Sequence, residues 1–190
     1  EEAVRAFGNT PGVTVLTKPN GGKASALNYG IAHAQHGILV ALDADTQFEP
    51  QTVRELVKPL ANPAVGAVAG NAKVGNRINL VTRWQALEYV TSQNLDRRAF
   101  ALLDCITVIP GAVGAWRRTA VLEAGGFTTD TLAEDQDLTI RIRKLGNPIG
   151  FPERAVAWTE ARATDGQWSS RSYRGARAAL QVAGTDEAGA

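Results

Sequence analysis

Ile38-Leu39-Val40-Ala41-Leu42-Asp43-Ala44-Asp45 is the stretch on which the fold turns. Five consecutive apolar residues read as a strand covered on both faces, as in sheets flanked by helices. Such a strand cannot carry two carboxylates through its core, because burying unpaired charge is costly. The chain must therefore surface at Asp43. Ligands of open α/β sheets bind outside the carboxyl ends of the strands, where these residues emerge. Asp43 and Asp45 are two apart, so in an extended chain they point the same way. Two hard oxygen donors at that spacing suit Mg²⁺ or Mn²⁺, with substrate phosphate completing the shell. Taken alone, the same two acids also read as ordinary turn and cap residues.

Working outward, the flanking segments alternate between strand and helix patterns. Upstream, Val13 to Leu16 is a short β-branched run, followed by turn chemistry at Lys18-Pro19-Asn20-Gly21-Gly22. Lys23 to Gln35 carries Ala24, Leu27, Ile31 and Ala34 at helical spacing, and Gly37 stops it. Free N–H groups at that helix start, two glycines and the Lys23 charge favour a diphosphate, while the feature taken alone reads as an ordinary tight turn. The turn is not a Walker A loop, since Ala24 follows the lysine and the upstream glycine is absent.

Downstream, Pro50 opens a helix to about Leu60, and Val65 to Ala69 is a strand. Leu80 to Leu103 is helical, with Leu80, Trp84, Leu87, Val90 and Leu95 near one face. Cys105 to Ile109 is a strand broken by Pro110-Gly111. Arg118 to Ala124 is a short helix closed by Gly125-Gly126. Ala133 to Leu145 is a helix ended by Gly146, and Ala155 to Trp158 is a last strand. This alternation predicts an α/β layered fold with a mostly parallel sheet. The acids Glu134, Asp135 and Asp137 fall in the first turn of their helix, where carboxylates usually cap. That position also keeps a carboxylate ionised, as a base accepting a hydroxyl proton must be.

The bulk properties narrow the function classes. Twenty basic residues against nineteen acidic ones leave a net charge of +1, which provides no field to gather nucleic acid. The single cysteine, Cys105, excludes an internal disulfide or a Cys-based metal cluster and reads as a small buried hydrophobe. His33 and His36 lie three apart on a helix with no third ligand spaced nearby, which reads as a solvated face. No run of about 18 apolar residues is present to span a bilayer. The opening Glu1 to Phe7 reads as a helix already under way, so further sequence is expected before it. Beyond Ala163 the apolar periodicity is lost. The expected organisation is a partial catalytic domain over 1–163 and an atypical tail over 164–190, unstructured, truncated or from a shifted reading frame.

Four motifs in order carry a resemblance. They are Lys18-Pro19-Asn20-Gly21-Gly22-Lys23-Ala24-Ser25-Ala26-Leu27-Asn28, Leu42-Asp43-Ala44-Asp45-Thr46, Pro110-Gly111-Ala112-Val113-Gly114-Ala115-Trp116-Arg117-Arg118, and Ala133-Glu134-Asp135. Together they resemble the family-2 inverting glycosyltransferases, and among those the processive poly-N-acetylglucosamine, hyaluronan, chitin and cellulose synthases. Gln85-Ala86-Leu87-Glu88-Tyr89 and the stretch to Arg98 look closest to the poly-N-acetylglucosamine branch. The resemblance implies a Rossmann-like, A-type glycosyltransferase fold whose first strands precede Glu1.

By the same resemblance, Asp43 contacts the nucleotide diphosphate and Asp45 holds the divalent metal, Mg²⁺ or Mn²⁺. Lys23 lies near the nucleotide, with Asn28 shaping its pocket. Asp135 is the catalytic base. Gly111 to Ala115, Ala112 among them, line the acceptor path, with Glu134 on the acceptor side. The implied partners are a UDP-sugar donor and a polysaccharide acceptor. The full-length protein is expected in the plasma membrane, working at its cytoplasmic face, and the isolated chain is expected to be soluble. The family's Gln-x-x-Arg-Trp motif is replaced by Gln167-Trp168-Ser169-Ser170-Arg171, the right residue types in another order. Two other functions fit parts of the pattern. One is a non-catalytic domain that at most binds UDP-sugar. The other is a haloacid-dehalogenase-type phosphohydrolase, disfavoured because Thr46 and Gln47 stand at the fourth and fifth positions of its motif.

Overall fold

The computed structural model describes residues 10–75, 83, 84, 87, 96–129, 131 and 133–159. The expected opening helix, most of the Leu80 to Leu103 helix and the tail over 164–190 lie outside the described residues. In chain order the elements are α1 (Gly22–His33), β1 (Ile38–Ala41), β2 (Gln47–Phe48), α2 (Thr52–Val57), a 3-10 turn (Pro59–Ala61), β3 (Ala67–Ala69) and β4 (Asn71–Val74). They continue with α3 (Asp96–Leu102), β5 (Gly114–Arg117), α4 (Arg118–Glu123), α5 (Glu134–Lys144), β6 (Ile149–Gly150) and β7 (Val156–Thr159).

Among the described residues two sheets form, in the orders β1-β5-β3-β6 and β2-β7-β4. Strand alternation sorts the first into two cores. Ala67, Ala69 and Trp116 face one side, with Ile109, Val121, Phe127, Leu138 and Ile142. Val68 and Ala115 face the other, with Leu56, Leu60, Val113 and Ala157. Helix α5 docks through Leu138, Thr139 and Ile142. Its first turn is acidic and its last turn holds Arg141, Arg143 and Lys144, an arrangement that complements the helix dipole.

The sheet is mixed rather than mostly parallel. Among the described residues β3–β6 and β4–β7 are parallel, while β1–β5, β3–β5 and β2–β7 are antiparallel. The cause is β5, which lies between β1 and β3 and runs against both. Its Gly-Ala-Trp-Arg sequence carries no apolar run that would mark it as a strand.

Three expected strands differ. Val13 to Leu16 is exposed and joins no sheet among the described residues; β-branched residues make a strand only where a ladder partner is present. Cys105 to Ile109 is buried at Ile106 and Ile109 yet joins no sheet. Side chains of α5 meet two of its backbone groups instead: the Ile109 N–H donates to Thr139 Oγ1 at 3.1 Å, and the Ile106 carbonyl accepts from Arg143 at 3.3 Å. β1 is half exposed rather than covered on both faces. A groove of about 460 Å³ opens beside it, lined by residues including Leu27, Ile31, Leu39, Trp116 and Phe127. Trp84 and Leu87 are helical, and they are 64% and 57% exposed.

Candidate active site

Three separate elements deliver charge to one place. Lys23 stands in the first turn of α1, where the Gly22 N–H is taken by Asn20 Oδ1 at 3.1 Å. Asp43 follows the end of β1, and its carbonyl accepts the Thr46 N–H at 3.0 Å. That turn buries Thr46 and leaves Asp45 exposed. Glu134 and Asp135 open α5.

Lys23 Nζ is the common point. It lies 3.0 Å from Asp43 Oδ1, 3.9 Å from Glu134 Oε1 and 3.9 Å from Asp135 Oδ2. Two regions of the chain some ninety residues apart thus meet around a single ammonium. Burial works against the Lys23 charge, but Asp135, Asp43 and Glu134 outweigh it and hold the ammonium above its ordinary value. Burial pushes Asp135 up to about 6; Lys23 opposes this, Glu134 and Asp43 add to it, and a Gly111 backbone hydrogen bond lowers it. Asp135 Oδ1 is buried without a hydrogen-bond partner among the described residues.

Gly111 forms the wall of this cluster, and a Cβ there would run into Lys23 Nζ and Asp135 Oδ2. Ala112 follows it, half buried. Asn28 sits elsewhere on α1: its Nδ2 donates to the Phe127 carbonyl at 2.7 Å, and its Oδ1 accepts the Phe127 N–H at 2.9 Å. His33 is occupied by its own helix, with Nδ1 2.8 Å from the Tyr29 carbonyl. The apolar groove beside β1 includes none of Lys23, Asp43 or Asp135 in its lining and is a separate feature.

Sequence reasoning missed Thr139. Its buried hydroxyl donates to the Asp135 carbonyl at 2.6 Å and accepts the Ile109 N–H, tying the approach to Gly111 to the start of α5. The available signal was its spacing, one helical turn after Asp135. Asp137, by contrast, is structural: its Oδ2 accepts from Thr128 at 2.7 Å and from Arg141 at 2.6 Å.

Carboxylate oxygens are the kind of donor a hard divalent cation takes. Among the described residues no three His, Cys, Asp or Glu side chains gather to hold a metal. Asp43 already faces Lys23, and Asp45 presents an exposed carboxylate. A cation at Asp45 would therefore take most of its shell from phosphate and water, the habit of Mg²⁺ in phosphate-binding sites.

The site thus joins acids at a strand end of a mixed α/β sheet to a helix that opens on an acidic pair. A solved neighbour with this fold is a mannosyltransferase from Pyrobaculum calidifontis in complex with GDP-Man and Mn²⁺, with TM-score 0.72 and 24% identity. The match covers 95% of this chain and 49% of that one. The family described as glycosyltransferase like family 2 matches residues 1–178, and the chain belongs to it. The phosphohydrolase alternative is thereby set aside.

Curated relatives include poly-beta-1,6-N-acetyl-D-glucosamine synthases. That of Staphylococcus epidermidis is 29% identical over 154 residues, 80% of this chain and 37% of the relative. That of Staphylococcus aureus (strain COL) is 28% identical over 165 residues, 86% of this chain and 40% of the relative. The chain thus spans well under half the length of these relatives.

Proposed function

We propose that the protein transfers a sugar, N-acetylglucosamine, from a UDP-sugar to a growing polysaccharide by an inverting single displacement. The observation that carries the reading is the meeting of Asp43 and Asp135 around Lys23. The relatives' names support the choice of sugar and polymer.

Lys23 and Asp43 position the donor diphosphate, and Gly111 leaves room for the reacting groups beside Asp135. Asp135 takes the proton of the acceptor hydroxyl as that oxygen bonds to the anomeric carbon. The bond from this carbon to the diphosphate breaks in the same step, and UDP carries away the electron pair. A divalent ion at Asp45, Mg²⁺ or Mn²⁺, would offset the leaving group's growing negative charge. A carboxyl held at about 6 is suited to this work, because a base is most effective when its pKa lies near the operating pH. Glu134, beside it, faces the acceptor side. No helix among the described residues is long and apolar enough to cross a membrane. Action at the cytoplasmic face of the plasma membrane is proposed for the protein in its full length.

Binding tests the reading directly. UDP with Mn²⁺ at about tenfold over Kd should stabilise the protein by about 1.4 kcal/mol, a rise in Tm of roughly 3–6 °C. Asp45→Ala should remove that rise without lowering the ligand-free Tm, since Asp45 is exposed. An undiminished rise in Asp45→Ala would place the nucleotide elsewhere.

A further inference from the structure

Lys23 and Asp135 stand at the starts of two different helices, and their spacing depends on how α1 and α5 are held together. The four-residue turn that follows α4, Ala124-Gly125-Gly126-Phe127, touches both. From the α1 side, Asn28 binds the Phe127 peptide through two hydrogen bonds, as a neighbouring strand would. From the α5 side, Arg141 donates to the carbonyls of Ala124 and Gly126, the latter at 2.7 Å. The guanidinium is itself fixed by Asp137 Oδ2, at 3.0 Å from Nε and 2.6 Å from an Nη.

The turn is shaped to accept these contacts. Gly125 and Gly126 have φ of +82° and +75°, a conformation L side chains rarely adopt. A Cβ on Gly126 would lie 2.8 Å from Asn28 Oδ1. Phe127 is buried, with its ring edge-on to Trp116 at 6.1 Å between centroids. The Gly126 N–H returns to the Val121 carbonyl at 2.9 Å, anchoring the turn to α4.

We propose that Asn28 is a positioning residue: with Arg141 it clamps the Ala124–Phe127 turn between α1 and α5, and so sets the spacing of Lys23 and Asp135. The proposal rests on the transfer reading given above. It assigns Asn28 a role away from the nucleotide, because its carbonyl oxygen and one N–H are already committed to the buried Phe127 peptide. Asn28 lies five residues beyond Lys23, and Arg141 six beyond Asp135. A small rotation of either helix would therefore move the reacting groups while leaving each helix intact.

The test uses Asn28→Ala in the full-length protein, with UDP-N-acetylglucosamine, UDP and Mn²⁺ as probes. The expected result is a fall in kcat of about 10- to 100-fold, the scale of an ångström-level misplacement. Donor KM and the Kd of UDP with Mn²⁺ should stay within about twofold. Hydrogen exchange should accelerate at the Gly111 amide, beside Asp135, as well as at Phe127. A merely local role would accelerate Phe127 alone and leave kcat unchanged, and a nucleotide contact would raise Kd with kcat intact; either result overturns the proposal. Arg141→Lys is the second variant, to be read if Asn28→Ala does not fold. It keeps a cation for Asp137 but loses the fork that spans two carbonyls, and the same signature is expected. If the wild-type protein transfers no sugar, the transfer reading fails, and the clamp stands or falls on Gly111 exchange in either variant.

Discussion

Asp135→Asn should lower sugar transfer by about 10²- to 10⁴-fold, the range of a lost general base, while making the folded protein more stable at pH 7.5. Both effects follow from one property. The carboxyl is raised from 3.8 to about 6, chiefly by burial, so the native state holds its proton more tightly than the unfolded chain does. Its contribution to stability is fully present below about pH 4 and is lost as pH rises through about 6. At pH 7.5 the ionised side chain therefore costs the fold on the order of 1–3 kcal/mol. Asparagine removes that cost along with the base. The Tm advantage of the variant should shrink to nothing as pH falls below 4. In the parent protein kcat/KM should rise with pH through about 6 as the carboxylate forms. A variant with full activity would remove Asp135 from the base role, and one with no pH-dependent gain in Tm would mean that its carboxyl is not raised.

Gly111→Ala is expected to have the second-largest effect. The added methyl would occupy the space against Lys23 Nζ and Asp135 Oδ2, so both must retreat. Displacement of a catalytic group by about 1 Å costs on the order of 100-fold in rate. Because the methyl takes the place of the Lys23 ammonium itself, whereas the long lysine side chain can follow a small shift of α1, UDP should bind several-fold more weakly, unlike the pattern expected for Asn28→Ala. Steady-state kinetics beside a UDP titration separates the two. Kinetics equal to the parent's would mean that Gly111 does not border the reacting groups.

Much of the candidate site was legible in the sequence, because a core rejects the residue types that meet there. Asp43 and Asp45 end an apolar run, Asp135 opens a helix, and Lys23 follows a glycine turn; each stands where a charged side chain has to emerge. The sheet order was less legible, because it is set by partners distant in the chain. β5 has a glycine and an arginine in four residues, yet it is a central strand, pairing with β1 and β3. Cys105 to Ile109 has the apolar run of a strand, yet Thr139 and Arg143 meet two of its backbone groups instead of a ladder partner. Asn28 belongs to a motif that suggests a nucleotide contact. Only the three-dimensional placement of Phe127, ninety-nine residues away, reveals what its amide holds.

Paramagnetic broadening by Mn²⁺ in the presence of UDP is the most direct measurement of the proposed meeting of distant segments. Amide signals of Asp43 to Thr46 should broaden together with those of Gly111, Glu134 and Asp135, and Asp45→Ala should abolish both sets. Broadening confined to Asp43 to Thr46, with Gly111 and Asp135 untouched, would mean that the nucleotide and the base never share a cleft.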